Sequence, residues 1–145
     1  MLDPVILGSD HAGFALKEKL KVTLDRLGVA WEDVGTTSED SVDYPDFAHR
    51  VAEAVASGRF SRGVLVCGTG IGVSITANRH AGVRAALACD EDGARLSREH
   101  NDANVLALGG RTTDPAVAER MLETWLSTPF AGGRHGLRVA KIETR

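Results

Sequence analysis

The stretch Gly63-Val-Leu-Val-Cys-Gly-Thr-Gly-Ile-Gly-Val-Ser-Ile-Thr-Ala-Asn78 decides how the rest of the chain is read. An apolar run with strand character ends on Cys67, passes glycines at 68, 70 and 72, and enters a helix-like segment. Glycine at such a junction lets backbone N–H groups approach a negative oxygen without steric conflict. The helix N-terminus that follows adds partial positive charge at the same place. Cys67 then hangs beside an anion-binding loop, where a thiolate can act as a base. Taken alone, the same residues also fit a small buried core cysteine followed by a glycine-rich turn without chemistry.

On either side of this junction, strand-like and helix-like segments alternate. Residues 5–8 (VILG) form a short continuous apolar run, the signature of a strand buried on both faces. Residues 14–27 read as a helix with Phe14, Leu20, Leu24 and Leu27 near one face. Lys17, Glu18, Lys21 and Asp25 lie mostly elsewhere, and Gly28 is a natural stop. Residues 29–34 read as a second strand, and 35–43 as a polar loop. Tyr44-Pro45 opens a helix lined by Phe47, Ala48, Val51, Ala52 and Val55 and ended by Gly58. Strand three covers 64–67 and helix three 73–79. Strand four covers 83–89, followed by a charged helix over about 91–99, and strand five covers 105–108. Asp114-Pro115 is a capped start for a helix carrying Val117, Met121, Leu122 and Trp125, and 136–142 forms a last short helix. This alternation predicts a single α/β domain over residues 1–145, a three-layer α/β/α Rossmann-like sandwich around a five-stranded parallel sheet.

Bulk properties narrow the function. A chain of 145 residues can bury a core without staples. A net charge of −3 gives no electrostatic reason to expect nucleic acid or an anionic membrane as partner. With aromatics at 5%, stacking platforms for bases are not expected either. Cys67 and Cys89 both end strand-like runs and suggest no disulfide framework, which fits a reducing cytoplasm. The N-terminal Met-Leu-Asp-Pro lacks the pattern of a secretory signal, and no apolar run approaches the length of a membrane span.

In a parallel sheet of this kind, ligands bind beyond the carboxyl ends of the strands, near the point where strand order reverses. That rule collects Asp10 and His11 after strand one, residues 67–72 after strand three, Asp90 after strand four and Arg111 after strand five. Asp10-His11 pairs an acceptor with a group that titrates near neutrality, and equally suits a helix cap beside a solvated imidazole. The loop at 68–72 together with Asp90 resembles a dinucleotide fingerprint, but its G-x-G-x-G spacing departs from G-x-G-x-x-G. His100-Asn101-Asp102-Ala-Asn104 closes the charged helix with clustered polar side chains. Arg134 and Arg138 stand four apart, a register that suits a phosphate if the segment is helical. The five histidines are scattered, with no pair at ligand spacing except a weak combination of His11 with distant partners, so a metal site is not expected.

Several motifs occur in one order along nearly the whole chain. They are Gly8-Ser-Asp-His-Ala-Gly-Phe14, Asp43-Tyr-Pro45, Cys67-Gly-Thr-Gly-Ile-Gly72, Ser97-Arg-Glu-His-Asn-Asp102, Asn104-Val-Leu-Ala-Leu-Gly109 and Gly132-Gly-Arg-His135. In these the chain resembles the type B ribose-5-phosphate isomerases, in the wider family that includes galactose-6-phosphate isomerase subunits. The resemblance implies a metal-free, cofactor-free aldose–ketose isomerisation of a phosphorylated sugar through a cis-enediolate. It makes Cys67 the base between C2 and C1, and Thr69 and His100 the pair that opens the furanose ring. Backbone amides of Gly68, Gly70, Ile71 and Gly72 would stabilise the enediolate oxygen. Asp10, Tyr44 and Asn101 would bind the sugar, and His11, Arg111, Arg134 and Arg138 the phosphate. The family forms homodimers, or dimers of dimers, whose sites combine residues of both subunits. One branch replaces the cysteine with a glutamate a few residues later; Val73 and Ser74 here mark the cysteine type. Ribose 5-phosphate is the default substrate, with hexose (allose or galactose 6-phosphate) or tetrose phosphates as alternatives. A non-catalytic nucleotide-binding module on the same scaffold is the reading from another class.

Overall fold

The computed structural model describes residues 2–144. Its elements run β1 (Val5–Ser9), α1 (Phe14–Arg26), β2 (Trp31–Asp33), α2 (Tyr44–Ala56), β3 (Arg62–Cys67) and α3 (Ile71–Ala77). They continue with β4 (Ala85–Leu87), α4 (Glu91–Asn101), β5 (Val105–Gly109), α5 (Pro115–Ser127) and α6 (Arg134–Val139). The strands form the expected five-stranded sheet in the order β2-β1-β3-β5-β4, and every pairing is parallel.

Strand order sets which helix covers which face. The chain steps one way from β1 to β2 and from β4 to β5, and the other way from β2 to β3 and from β3 to β4. Right-handed crossovers therefore place α1 and α4 on one face and α2 and α3 on the other. The helix packing agrees: α5 lies against both α1 and α4, and α2 lies against α3. Successive side chains of each central strand alternate between these layers. Val5, Leu7, Val64, Val66, Leu106 and Leu108 pack towards the α1–α5 side with Leu20, Met121 and Trp125. Ile6, Leu65, Cys67, Val105 and Ala107 pack towards α2 and α3 with Val51 and Val73. The parity that buries Leu65 thus also aims Cys67 at the α2–α3 layer.

Several boundaries differ from the sequence expectations, each for a local reason. The expected strands 29–34 and 83–89 shorten to Trp31–Asp33 and Ala85–Leu87, because both lie at sheet edges with a ladder on one side only. Helix α3 starts at Ile71 rather than 73, since the left-handed Gly70 turns the chain directly into it. Helix α4 continues to Asn101, where Asp102 at φ 46° stops it. Helix α6 begins at Arg134, ahead of the expected 136. The core face of α1 is also rotated from the expected one. Leu16, Lys17, Leu20, Thr23 and Leu24 are its buried residues, whereas Leu27 is exposed. No helix among the described residues is long and apolar enough to cross a membrane.

Candidate active site

The carboxyl ends of β1, β3 and β5 lie side by side, with Ser9 in register with Val66 and Cys67 with Gly109. Cys67 is 5% exposed and is a free thiol. Its Sγ accepts a hydrogen bond from the backbone N–H of Gly70 at 3.2 Å, a donor placed where a thiolate would need one. That approach depends on Gly70 holding φ +79°. A Cβ there would stand 2.6 Å from Leu87 Cδ1 and 2.9 Å from the Leu108 carbonyl carbon.

The turn after β5 clamps this loop. Gly110 N–H donates to Cys67 O at 2.7 Å, and Arg111 N–H donates to Gly68 O at 2.9 Å. The Arg111 guanidinium lies over Gly68, with Nη1 3.4 Å from where a Cβ would be. Thr69 Oγ1 accepts from Ile71 N–H at 3.2 Å, holding the first turn of α3.

The loop after β1 completes this cluster. Asp10 is buried and its Oδ1 accepts from Gly13 N–H at 3.0 Å, so it does cap the turn into α1. His11 Nδ1 accepts from Val42 N–H at 3.1 Å. That bond requires a lone pair on Nδ1 and leaves the ring proton of the neutral imidazole on Nε2. Tyr44, 40% exposed, lays its ring on Gly72, where a Cβ would come within 2.5 Å of Cε1. Asp10, His11, Tyr44, residues 67–72 and Arg111 therefore share the carboxyl edge of the sheet.

His100, Asn101, Arg134 and Arg138 do not join them within one chain. Helix α4 runs back across the sheet from the end of β4 to the start of β5. Its last turn meets Arg84, just ahead of β4, whose Nε donates to Asn101 O at 3.2 Å and Asp102 O at 3.0 Å. At this amino edge the rings of His100 and His135 stack with centroids 4.2 Å apart and planes 11° apart. Together with Asn101, Arg134 and Arg138 they line a cavity of about 360 Å³. Arg134 and Arg138 share a face of α6, as the i,i+4 spacing requires. Burial lowers the basicity of His135, and the charges of His100, Arg134 and Arg138 lower it further against the opposing pull of Glu99. The cavity thus carries two guanidinium groups of one helical face beside the stacked histidines.

Other motif residues turn out to be structural. Asp90, the acid a dinucleotide reading needs on a ribose, caps α4 by accepting from Gly93 N–H at 2.7 Å. Arg98 is buried and ties Asp102 Oδ1, Ala103 O and Thr128 O together. Asn104 brackets the approach to β4 by accepting from Arg84 N–H and donating to Gly82 O. Sequence reasoning named His135 only within the Gly132-Gly-Arg-His135 motif and gave it no role; its signal is its place between two arginines of one helical face. It also missed a groove of about 640 Å³ at the amino edge, which shares Asn101 and Ile142 with the basic cavity. Among the described residues, no group of three or more His, Cys, Asp or Glu is placed to hold a metal ion.

Comparison with known proteins agrees with this architecture. Residues 5–142 match the family model described as Ribose/Galactose Isomerase. A putative sugar phosphate isomerase of Bacillus subtilis is 48% identical over 139 residues, covering 95% of this chain and 93% of the relative. Ribose-5-phosphate isomerase B of Escherichia coli is 45% identical, covering 95% and 93%. The crystal structure of a ribose 5-phosphate isomerase from Thermotoga maritima superposes with a TM-score of 0.95 at 50% identity, covering 98% of each chain. The chain belongs to the ribose/galactose isomerase family and is an aldose–ketose isomerase.

Proposed function

We propose that this protein interconverts ribose 5-phosphate and ribulose 5-phosphate through a cis-enediolate, with Cys67 as the base. The observation that carries the reading is Cys67 Sγ on the Gly70 N–H at the mouth of a glycine loop. Once the furanose is open, the Cys67 thiolate takes the proton from C2 and the electron pair moves towards O1. Amides of the 68–72 loop hold the developing charge. The sulfur then returns its proton to C1, and transfer of the O2 proton to O1 leaves the ketose. Thr69 and His100 open the ring, Asp10, Tyr44 and Asn101 hold sugar hydroxyls, and His11, Arg111, Arg134 and Arg138 bind the phosphate.

These roles need both clusters around one substrate, and they lie on opposite edges of the sheet. The reading therefore includes a homodimer, or a dimer of dimers, in which the amino-edge cluster of one subunit faces the carboxyl-edge cluster of the next across a twofold axis. It treats residues 1–145 as one isomerase domain working in the cytoplasm, which suits two free cysteines. Two of the relatives described above are named for ribose 5-phosphate, which supports pentose over hexose or tetrose.

The test is conversion of ribose 5-phosphate to ribulose 5-phosphate with chelator present, comparing wild type with Cys67→Ala. Turnover in the wild type and a loss of about 10²–10⁴-fold in the variant is the expected result. Full turnover in the variant would remove Cys67 as the base. A wild type active only on hexose or tetrose phosphates would overturn the substrate assignment.

A further inference from the structure

His49, on the second turn of α2, and His80, in the turn after α3, meet with Nδ1 of the first 2.7 Å from Nε2 of the second. Their rings are set edge-to-face, with centroids 5.0 Å apart and planes inclined by 60°. Neither belongs to the two clusters described above. Both backbones are fixed independently of the contact. His49 sits within a helix, and His80 in a turn closed by its N–H to Ala77 O and its carbonyl to Val83 N–H, both at 3.1 Å.

We propose that His49 and His80 form a two-histidine site for a divalent transition ion of the zinc, nickel or copper class. Imidazole nitrogen is a favoured ligand for these ions. Two nitrogens on one tetrahedral zinc, each about 2.0–2.1 Å from it, stand about 3.3 Å apart. The pair therefore has to open by only about 0.6 Å, a small pivot of two solvent-accessible rings. In the neutral pair one ring donates its proton to the other. Binding moves that proton to the far nitrogen of the same ring, so both facing nitrogens present lone pairs without net proton release. Water fills the remaining coordination positions on the exposed side. Both facing nitrogens must be unprotonated to take the ion. A bound ion would tie α2 to the 78–83 turn, linking the helix that begins at Tyr44 to the segment that follows α3.

The test is calorimetric titration of chelator-stripped protein with zinc alone at about pH 7.5, above the usual imidazole range. Wild type is compared with His49→Gln and His80→Gln. Zinc taken by Cys67, Cys89 or the His100–His135 stack is common to all three proteins and cancels in the difference. The expected result is one fewer zinc per chain in each variant, and a zinc-induced rise in Tm greater in wild type than in either. Each variant should keep wild-type isomerase turnover without metal, which establishes that it is folded. Equal zinc uptake in all three proteins, or loss in only one variant, would overturn the site.

Discussion

Lys17 Nζ, with its side chain fully buried, lies 2.5 Å from Asp33 Oδ2 and 2.9 Å from the carbonyl oxygen of Thr36. Its ammonium also stands 5.1 Å from the centroid of the Phe14 ring. Asp33 collects Lys21 at 3.0 Å and Gly35 N–H at 2.8 Å as well. The cluster fastens α1 to residues 33–36. Thr36 N–H in turn donates to Ser9 O at 3.0 Å, and the same loop later supplies the Val42 N–H that fixes His11.

Replacing Lys17 with methionine keeps most of the stem but strips Thr36 O of the Lys17 donor and leaves Asp33 with Lys21 and Gly35. Removing one partner of a buried pair is expected to cost on the order of 3 kcal/mol, read by urea unfolding. The acid limb of stability should change too. Burial alone would favour a neutral Asp33, but hydrogen bonds from Lys17, Gly35 and Lys21 outweigh it and hold the carboxyl below its ordinary range. The folded value then lies below the unfolded one of about 3.9. The contribution is complete above that value and is lost as pH falls through the lowered folded value. Unfolding midpoints between about pH 2 and 6 should fall less steeply in Asp33→Asn than in wild type. Parallel curves would remove the cluster as a source of acid sensitivity.

Gly70 and Gly72 separate backbone constraint from side-chain constraint within one loop. Alanine at Gly70 would take a left-handed conformation costing roughly 1–2 kcal/mol, and its methyl meets the backbone of Leu108. The N–H on Cys67 then shifts, so stability and kcat should fall together. At Gly72 the atoms nearest the methyl all belong to the half-exposed Tyr44 ring, which can swing away. The expected result there is a raised KM with a smaller loss of stability. Thermal unfolding with steady-state kinetics on both variants would distinguish this from a uniform effect.

The periodicities that carried the fold are those that burial enforces on both faces. The runs 5–8, 64–67 and 105–108 became the three central strands because each is covered by helices on two sides. The carboxyl-edge cluster was legible for the same reason, since strand ends and glycines locate it. The separation of the amino-edge cluster from it was not. His100 and Arg138 carry no mark of which sheet edge they occupy; that follows from the return path of α4 and the packing of α6 on it. Lys17 was misplaced because a helical wheel assigns charge to solvent, whereas a carboxylate and a carbonyl sixteen and nineteen residues away satisfy it in the core. His49 and His80 gave no signal, being thirty-one residues apart on different elements.

His135 supplies a reporter for the basic cavity. Its burial and the neighbouring charges of His100, Arg134 and Arg138 favour the neutral ring. An anion placed between those arginines offsets the repulsion. The His135 ring pKa, followed by NMR, should therefore rise when ribose 5-phosphate is added. Without ligand the lowered value means that the folded chain resists protonation relative to the unfolded one, so this group disfavours folding as pH falls below the ordinary imidazole value. A ring pKa unmoved by sugar phosphate would mean that the cavity does not receive the phosphate.

Separation of the clusters makes site sharing directly testable. In the proposed homodimer, Cys67→Ala would disable a carboxyl edge and His100→Ala an amino edge, so either variant alone would be impaired at both of its sites. When two subunits share each site, a mixed dimer gathers both lesions into one site and leaves the other intact. Unfolding the two variants together and refolding them at equal amounts should recover about a quarter of wild-type turnover, from one intact site in each of the mixed half of the dimers. Size-exclusion chromatography would establish that dimers reform. If instead each site lay within one subunit, every chain in the mixture would still carry a lesion in its own site, and mixing would recover nothing above the sum of the separate variants.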